Sequence, residues 1–493
     1  MNDTIIVNGR KLSWLIVERG FKIPSFNFAI ESENIRGRAG AVKKNRSLNA
    51  YSFELPLIVL NDYINGTKSY DDIANELTKL FDYDEPVKLQ FESKDWYWNA
   101  EFEGPIEIYK ETTGQINNFT INVVLNDPYR YAATGSMNTA ISDQVSIVNT
   151  GTADTPITVE ARALQDSSFF MITKSDEDYF MIGDDDVTVT PKDYTPKIYH
   201  NEFRDLIGWT RQSVGSINDT YLGGTLGGSY TIANNKESFK LNNAPSGSGW
   251  VGASYKRPLS KQLQDFRATF KAIIYQKDKG AGKTVQHIYD TENRLIAAIG
   301  YDNRFASKKS GRFIATLFNE TGEQIKIYDK TNSAFISNMN VITIYIQITR
   351  KGEQFTVRSW LFDETKDPSR KRPLDTVEKT YTDAGKFYQR PVSSISISTF
   401  KYAGAKEMVM NPLGTFNTEI LPKQKGAKDM IIKKGDLITI DTKNFNVVVN
   451  EEPFLHEKTF GSDFFNVDKG VSELMIYPTG VFDTTVRWQE RFI

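Results

Sequence analysis

The 493-residue chain contains no cysteine. That excludes a disulfide framework, an iron–sulfur cluster, a thiolate zinc site and a cysteine nucleophile, so stability has to come from packing. Histidine is nearly as scarce. His200, His287 and His456 lie far apart, no HExxH motif occurs, and a Ser-His-Asp triad would have to be assembled from isolated side chains. Each histidine is therefore read as structural or solvent-exposed. No stretch approaches the roughly 18 consecutive apolar residues of a membrane span. Met1 leads through Asn-Asp-Thr into Ile5–Val7 without a basic segment followed by an apolar one, so no secretory signal is read and folding in a cytoplasm is expected.

Charge of one sign is also missing from the total, which is only −2. The balance hides a contrast. Residues 201–405 carry 30 Lys and Arg against 19 Asp and Glu, whereas the remainder carries 30 against 43. A sign change of this size marks a composition boundary, and a basic block points to an anionic partner or to a merely cationic surface. The cations are dispersed, and no RRM-type or helix-turn-helix signature accompanies them, so no nucleic-acid partner is expected.

The apolar fraction of 39 % is enough for several buried cores, and its pattern is mostly two-residue alternation. Phe119–Leu125, Phe266–Ile274, Val341–Ile348 and Val486–Phe492 each place every second apolar side chain on one face, as strands require. One segment cycles differently. Ser69 as N-cap, Asp71 and Asp72 in the first turn, and Ile73, Leu77 and Leu80 at helical spacing predict a helix ending before Pro86. Residues 140–190 and the last part of the chain each hold too few strands for a complete sandwich, but together they would make one. The basic block holds enough strand-like runs for its own. Turn-rich Pro191–Pro196 and Asn411–Gly414 bracket it, so a complete domain inserted in a loop of another is the economical organisation. The expected fold is mainly β, with boundaries at 1–135, 136–198, 199–405 and 406–493, and the 201–405 fragment is expected to fold alone.

Catalytic motifs fail on their flanks. Gly280-Ala-Gly-Lys283-Thr284 resembles the end of a phosphate loop, but Lys277 stands where the first glycine belongs and a strand follows instead of a helix, so a β-hairpin turn is expected. Gly247-Ser-Gly249-Trp-Val-Gly252 matches a dinucleotide fingerprint formally, with no helix after it. Asp184-Asp185-Asp186 is read as a solvated turn and not as a cation site, since consecutive side chains on extended backbone diverge. No catalytic, cofactor or metal residue is assigned, and no enzyme activity is expected. In the basic block Tyr221, Trp250, Tyr255 and Trp360 are candidate platforms for sugar rings, with Trp360 the one most prone to burial. Asn218, Asp219, Asn242 and Asn243 are candidate partners for hydroxyls.

Read together, the two ends resemble the distal tail proteins of long-tailed phages that infect Gram-positive bacteria. The matching features are Ile5-Ile-Val-Asn-Gly9, the turn Ile35-Arg-Gly37-Arg38-Ala39-Gly40, the helix, the closing Asn126-Asp-Pro-Tyr-Arg-Tyr131, then Gly435–Asp441, the hairpin 444–450, Ser462-Asp-Phe-Phe465 and Val486–Phe492. The turn carries Ala39 where the family often has an acid. The resemblance implies an N-terminal β-sandwich-type ring domain with one helix, six copies of which stack on the tail tube and face the tail-tip protein. It implies a split galectin-like β-sandwich, and it likens the central block to an inserted jelly-roll, lectin-like carbohydrate-binding module. Implied with it are a virion location, a homo-hexamer, tail tube and tail-tip partners, and host wall polysaccharide or teichoic acid as the ligand of the insert. A stand-alone lectin or adhesin, and a baseplate protein whose insert touches only other tail proteins, are the alternatives.

Overall fold

The computed structural model describes residues 3–60, 70–106, 118–234 and 237–493. The proposed cap Ser69 lies outside these. The N-terminal core forms under a sheet in which Ile5–Val7, Val87–Phe91, Trp96–Glu103, Asn118–Leu125, Tyr51–Val59 and Leu15–Val17 follow one another as neighbours. The sheet curls on itself, because the Val17 N–H reaches the Asp3 carbonyl at 2.9 Å. The helix Tyr70–Phe81 closes its mouth, with acids in its first turn and Lys79 in its last, the signs that suit the helix dipole. Ile73, Leu77 and Leu80 are all buried in this core, and burial of a side chain of this kind contributes about 2 kcal/mol.

The second core is built from two stretches of chain. One sheet runs Ser136–Thr139, Phe482–Trp488, Ile157–Ala163, Leu437–Asp441, Asn446–Val449, Glu452–Pro453, and the facing one runs Gln144–Asn149, Gly470–Tyr477, Phe169–Thr173, Tyr179–Gly183. Both sheets mix strands from before and after the basic block, and neither stretch could bury its apolar faces without the other. The run expected as one strand over 486–492 breaks at Gln489 and Glu490. Thr155 and Tyr97 take Gln489 out of the ladder, and Arg491–Phe492 then pairs with Arg130–Ala132 of the N-terminal sheet.

Between these stretches lies a third core of two large sheets. A six-stranded sheet runs Lys197–Asn201, Val409–Glu419, Phe266–Tyr275, Val341–Lys351, Gln354–Asp363, Leu374–Thr382. A nine-stranded sheet lies over it, in which Gly224–Leu226, Trp250–Leu263, Val392–Tyr402, Gly282–Tyr289, Leu295–Asn303 and Arg312–Phe318 are successive neighbours. Alternation decides the faces: Phe266, Ala268, Phe270 and Ile344, Ile346, Ile348 meet Ile299, Tyr301, Phe313 and Ile397 in the interior. Two expectations are corrected here. Phe266–Tyr275 and Gly282–Tyr289 belong to different sheets, so Gly280 sits in a connection between layers and not in a hairpin. The block also extends past 199–405, because Val409–Glu419 pairs with Phe266–Tyr275 along its length. Pro412, which suggested a boundary turn, is accommodated at a β-bulge where Leu413 is the extra residue.

The outer face of the six-stranded sheet rests on the split sandwich. The tight turn between Asn446–Val449 and Glu452–Pro453 enters it with Asn450 and Glu451 both at positive φ (50° and 68°). The Glu451 carboxylate accepts hydrogen bonds from Lys271 Nζ at 2.6 Å, Arg370 at 3.1 Å and the Tyr345 hydroxyl, while Trp360 Nε1 donates to the Glu451 carbonyl at 2.9 Å. Burial pushes the carboxyl upward, but Lys271 and Arg370 outweigh it and hold Glu451 below the usual carboxylate range. Lys371 to Glu160 and Lys197 to Asp436 add further ion pairs across the same junction.

Two outcomes follow from this arrangement. Glu451→Ala leaves Lys271 without its anion and Arg370 with Glu364 as its remaining one, and costs about 3 kcal/mol, read as a lower denaturant midpoint and faster cleavage in the connectors 193–196 and 420–427. Because the Glu451 pKa is depressed, the stability it supplies is full above the ordinary carboxylate pKa and is lost as pH falls through the folded value, so acid exposes the same connectors. A 201–405 fragment, lacking Val409–Glu419, is expected to aggregate, whereas a 195–421 fragment gives a cooperative melt by circular dichroism; a folded 201–405 fragment would contradict this sheet order.

Candidate functional site

The face of the nine-stranded sheet that points away from the interior carries the other half of the alternation. On it lie Trp250, Gly252 and Ser254, then Ser396, Ser398, Phe400 and Tyr402, with Lys283, Val285 and His287 on the next strand. The segment 218–223, which joins the sheet strands Gly215–Ile217 and Gly224–Leu226, lies across this face. Leu222 packs on Val285, Ala298 and Ile314, and the Gly223–Gly224 pair allows the contact: a Cβ on Gly223 would stand 2.3 Å from the Ile217 carbonyl, and one on Gly224 2.7 Å from the Phe400 ring.

Asp219 holds the segment down. One carboxylate oxygen accepts the N–H groups of Tyr221 (2.9 Å) and Leu222 (3.0 Å) and the Gln324 amide (2.7 Å), and the other lies 3.4 Å from His287 Nε2. Burial raises the Asp219 pKa, but His287 and these donors more than compensate, and the net shift is downward. Ser398 Oγ is 3.3 Å from His287 Nδ1 on the other side. The row Ser398, His287, Asp219 has the composition of a triad, yet Ser398 and His287 are fully buried, and of the three only Asp219 borders the cleft beside them.

Beside this pinned segment opens a cleft of about 730 Å³ bounded by Trp250, Tyr402, Lys283, Arg304, Asp219 and Ser248. The Trp250 and Tyr402 rings meet edge to face, 5.3 Å between centroids at 83°, and Tyr402 is 44 % exposed. Lys283 forms part of the wall at 3 % exposure, its ammonium 4.3 Å from the centre of the Trp250 ring. Burial lowers its pKa to about 8, with Asp302 opposing the shift. Asp302 itself is fully buried and already engaged by Arg304 Nε and Arg312 Nε, each at 2.8 Å. An aromatic edge, polar backbone and a sheltered cation can receive a sugar ring together with a charged substituent.

Of the residues singled out from sequence, Trp250 and Asp219 line the cleft. Tyr221 is half-buried beside it under the Lys326 ammonium, and Asn218 is exposed on the same segment, but neither borders the cleft. Asn242 and Asn243 are exposed on the small sheet Ser229–Ile232 with Phe239–Asn243 and take no part in it. Tyr255 is corrected outright: it is buried in the interior against Tyr230, whose N–H its hydroxyl accepts at 3.4 Å. Five positions along a strand from Trp250, it must point to the opposite face. Trp360 is fully buried at the junction, stacked on Tyr345. Lys283, Arg304 and Tyr402 were missed as site residues. Lys283 did have a signal, as the lysine of the discarded Gly280–Thr284 motif, and the other discarded motif is the loop that presents Trp250. Asp184 and Asp186 accept local N–H groups, from Asp186 and Thr188, as a turn does.

Comparison with known proteins bears on the two ends of the chain. Residues 10–125 match the model of the phage tail protein RIFT-related domain, and residues 419–492 match that of the siphovirus-type tail component, C-terminal domain. No curated protein matches in sequence. Among solved structures, the CBM2 module of the evolved Dit of Lactobacillus casei BL23 phage J-1 is similar at 15 % identity over 47 % of this chain and 99 % of that one, with a TM-score of 0.37. The Dit protein of phage SPP1 is similar at 18 % identity over 37 % and 75 %, with a TM-score of 0.31. A galectin-like protein from Bacillus subtilis is similar at 9 % identity over 46 % and 98 %, with a TM-score of 0.28. A phage tail domain model thus matches at each end of the chain, over residues 10–125 and 419–492, with the inserted sandwich lying between the two matched stretches.

Proposed function

We propose that the protein is a hub of the phage tail, assembled as a ring of six between tail tube and tail-tip protein, and that its inserted domain binds host wall glycan during adsorption without catalysing a reaction. The observation that supports the binding role is the cleft itself: an exposed aromatic edge, Trp250 with Tyr402, on the outer face of the insert's nine-stranded sheet. The opposite face of the insert is occupied by its own host domain through Glu451, which turns the cleft outward. Multiplying a weak site sixfold on one particle raises avidity by orders of magnitude, and the basic surplus of the insert hastens encounter with an anionic wall.

The ring is supported by a feature of the N-terminal domain. Phe28–Asn34 and Ala41–Leu48 pair only with each other among the described residues and form an exposed two-stranded arm, with Ile30 61 % and Ile35 48 % exposed. An isolated two-stranded ribbon is at best marginally stable in water, and its open edges and apolar side chains are satisfied by a neighbouring copy in a closed ring.

Light scattering of the full-length chain is expected to give six subunits, and replacing residues 28–48 by a short Gly-Ser turn is expected to give monomer with an unchanged melt of the other domains. Trp250→Ala and Tyr402→Ala are each expected to weaken sedimentation with purified Gram-positive cell walls at least tenfold while leaving the melting temperature within a few degrees. Wall binding untouched by both substitutions would move the insert's role to contacts with other tail proteins.

A further inference from the structure

We infer that the cleft between Trp250 and Tyr402 is selective for an anionic wall polysaccharide, and that the Lys283 ammonium binds the phosphodiester or carboxylate group of that polymer. This rests on reading the insert as the wall-binding module, and it adds a charge requirement that an aromatic platform alone does not impose.

The argument is one of an uncompensated cation. Lys283 lies on the strand Gly282–Tyr289, paired in register with Phe400 on one side and Asp302 on the other. Of its three N–H donors, one reaches the Gly223 carbonyl at a long 3.3 Å, and among the described residues no ion pair forms. The two carboxylates nearby are both committed: Asp302 to Arg304 and Arg312, Asp219 to backbone N–H groups, Gln324 and His287. Placing an ammonium in a wall without its anion is costly unless something else supplies one. The lowered pKa of about 8 is the signature of that cost.

The rim reinforces the sign. Exposed Arg304 borders the cleft, and exposed Lys279, Lys308 and Lys406 each stand within two residues of its lining positions Ala281, Ala306 and Ala405, against Asp278 and Glu407. Asn303 gathers this rim by donating to the carbonyls of Gly280 and Lys308, and the Ala281 N–H reaches the Lys406 carbonyl at 2.7 Å. A polyanion would therefore meet a diffuse positive field first and one sheltered cation afterwards. Salt screens the rim far more than it screens Lys283.

The test uses the full-length protein with purified Gram-positive walls and with soluble glycerol-phosphate polymer and uronic-acid polymer as competitors. The groups facing Lys283 are Asp219, His287, Asp302, Arg304, Arg312 and Tyr402, so its titration is isolated by comparing variants. Wild-type affinity is expected to fall about tenfold between pH 7.5 and 9, as the ammonium is lost through about pH 8. Lys283→Met is expected to bind at least tenfold more weakly at pH 7.5 with a flat profile over that range, while Lys283→Arg retains part of the affinity with an equally flat profile. Competition by one polymer or the other identifies the anion as phosphodiester or carboxylate. Lys283→Met binding as tightly as wild type, with Trp250→Ala still defective, would overturn the charge requirement and leave a neutral-glycan site. Wild-type protein that binds no wall would remove both readings together.

Discussion

One carboxylate fixes the placement of the inserted domain on the split sandwich. Glu451 sits at the tip of a two-residue turn in a backbone conformation that costs a non-glycine residue roughly 1 kcal/mol. Its side chain offsets that by neutralising Lys271 and Arg370 at once, and its carbonyl receives the indole of Trp360. Breaking such a cluster by removing the anion is far more costly than the turn strain, so the insert has one orientation on its host domain. The connectors alone, at Pro191–Pro196 and around 420–427, would permit many.

That constraint explains why the cleft beside Trp250 lies where it does. A β-sandwich has two outer faces, and here one is committed to the host domain while the other is left to segment 218–223 and solvent. The committed face carries Lys271, Tyr345, Gln347 and Trp360, a polar and aromatic surface matched to one turn. On the open face Leu222 covers Val285, Ala298 and Ile314, and Ile217 and Leu226 pack on Phe400, with polar or aromatic residues elsewhere. Asp219 decides where that cover ends, and hence where the cleft begins.

The strands and the helix were legible because alternation and helical spacing are local. The split sandwich was legible because each half, counted alone, could not bury its own apolar faces. What sequence concealed was mostly a matter of pairing. Pro412 reads as a turn until the bulge opposite Lys271 and Ala272 is seen to absorb it. Val486–Phe492 reads as one strand until Gln489 is taken by Thr155 and Tyr97. The site was half legible: Trp250 and Asp219 could be named by residue type, and alternation from Trp250 already argued against Tyr255. Lys283 could not be paired with Trp250 from sequence, since 32 intervening positions and a strand from the far end of the insert, Val392–Tyr402, separate them in the sheet.

The pairing of Arg491–Phe492 with Arg130–Ala132 has a mechanical side. The split sandwich leaves the N-terminal domain by one covalent crossing and returns to it by a hydrogen-bonded strand, and the insert leaves and re-enters the sandwich by two covalent crossings. A tug on the cleft is therefore shared by paired tethers at each level and is felt as shear along strands, with little torque about a single hinge. A pull at the periphery of the insert thus reaches the N-terminal sheet with small angular error.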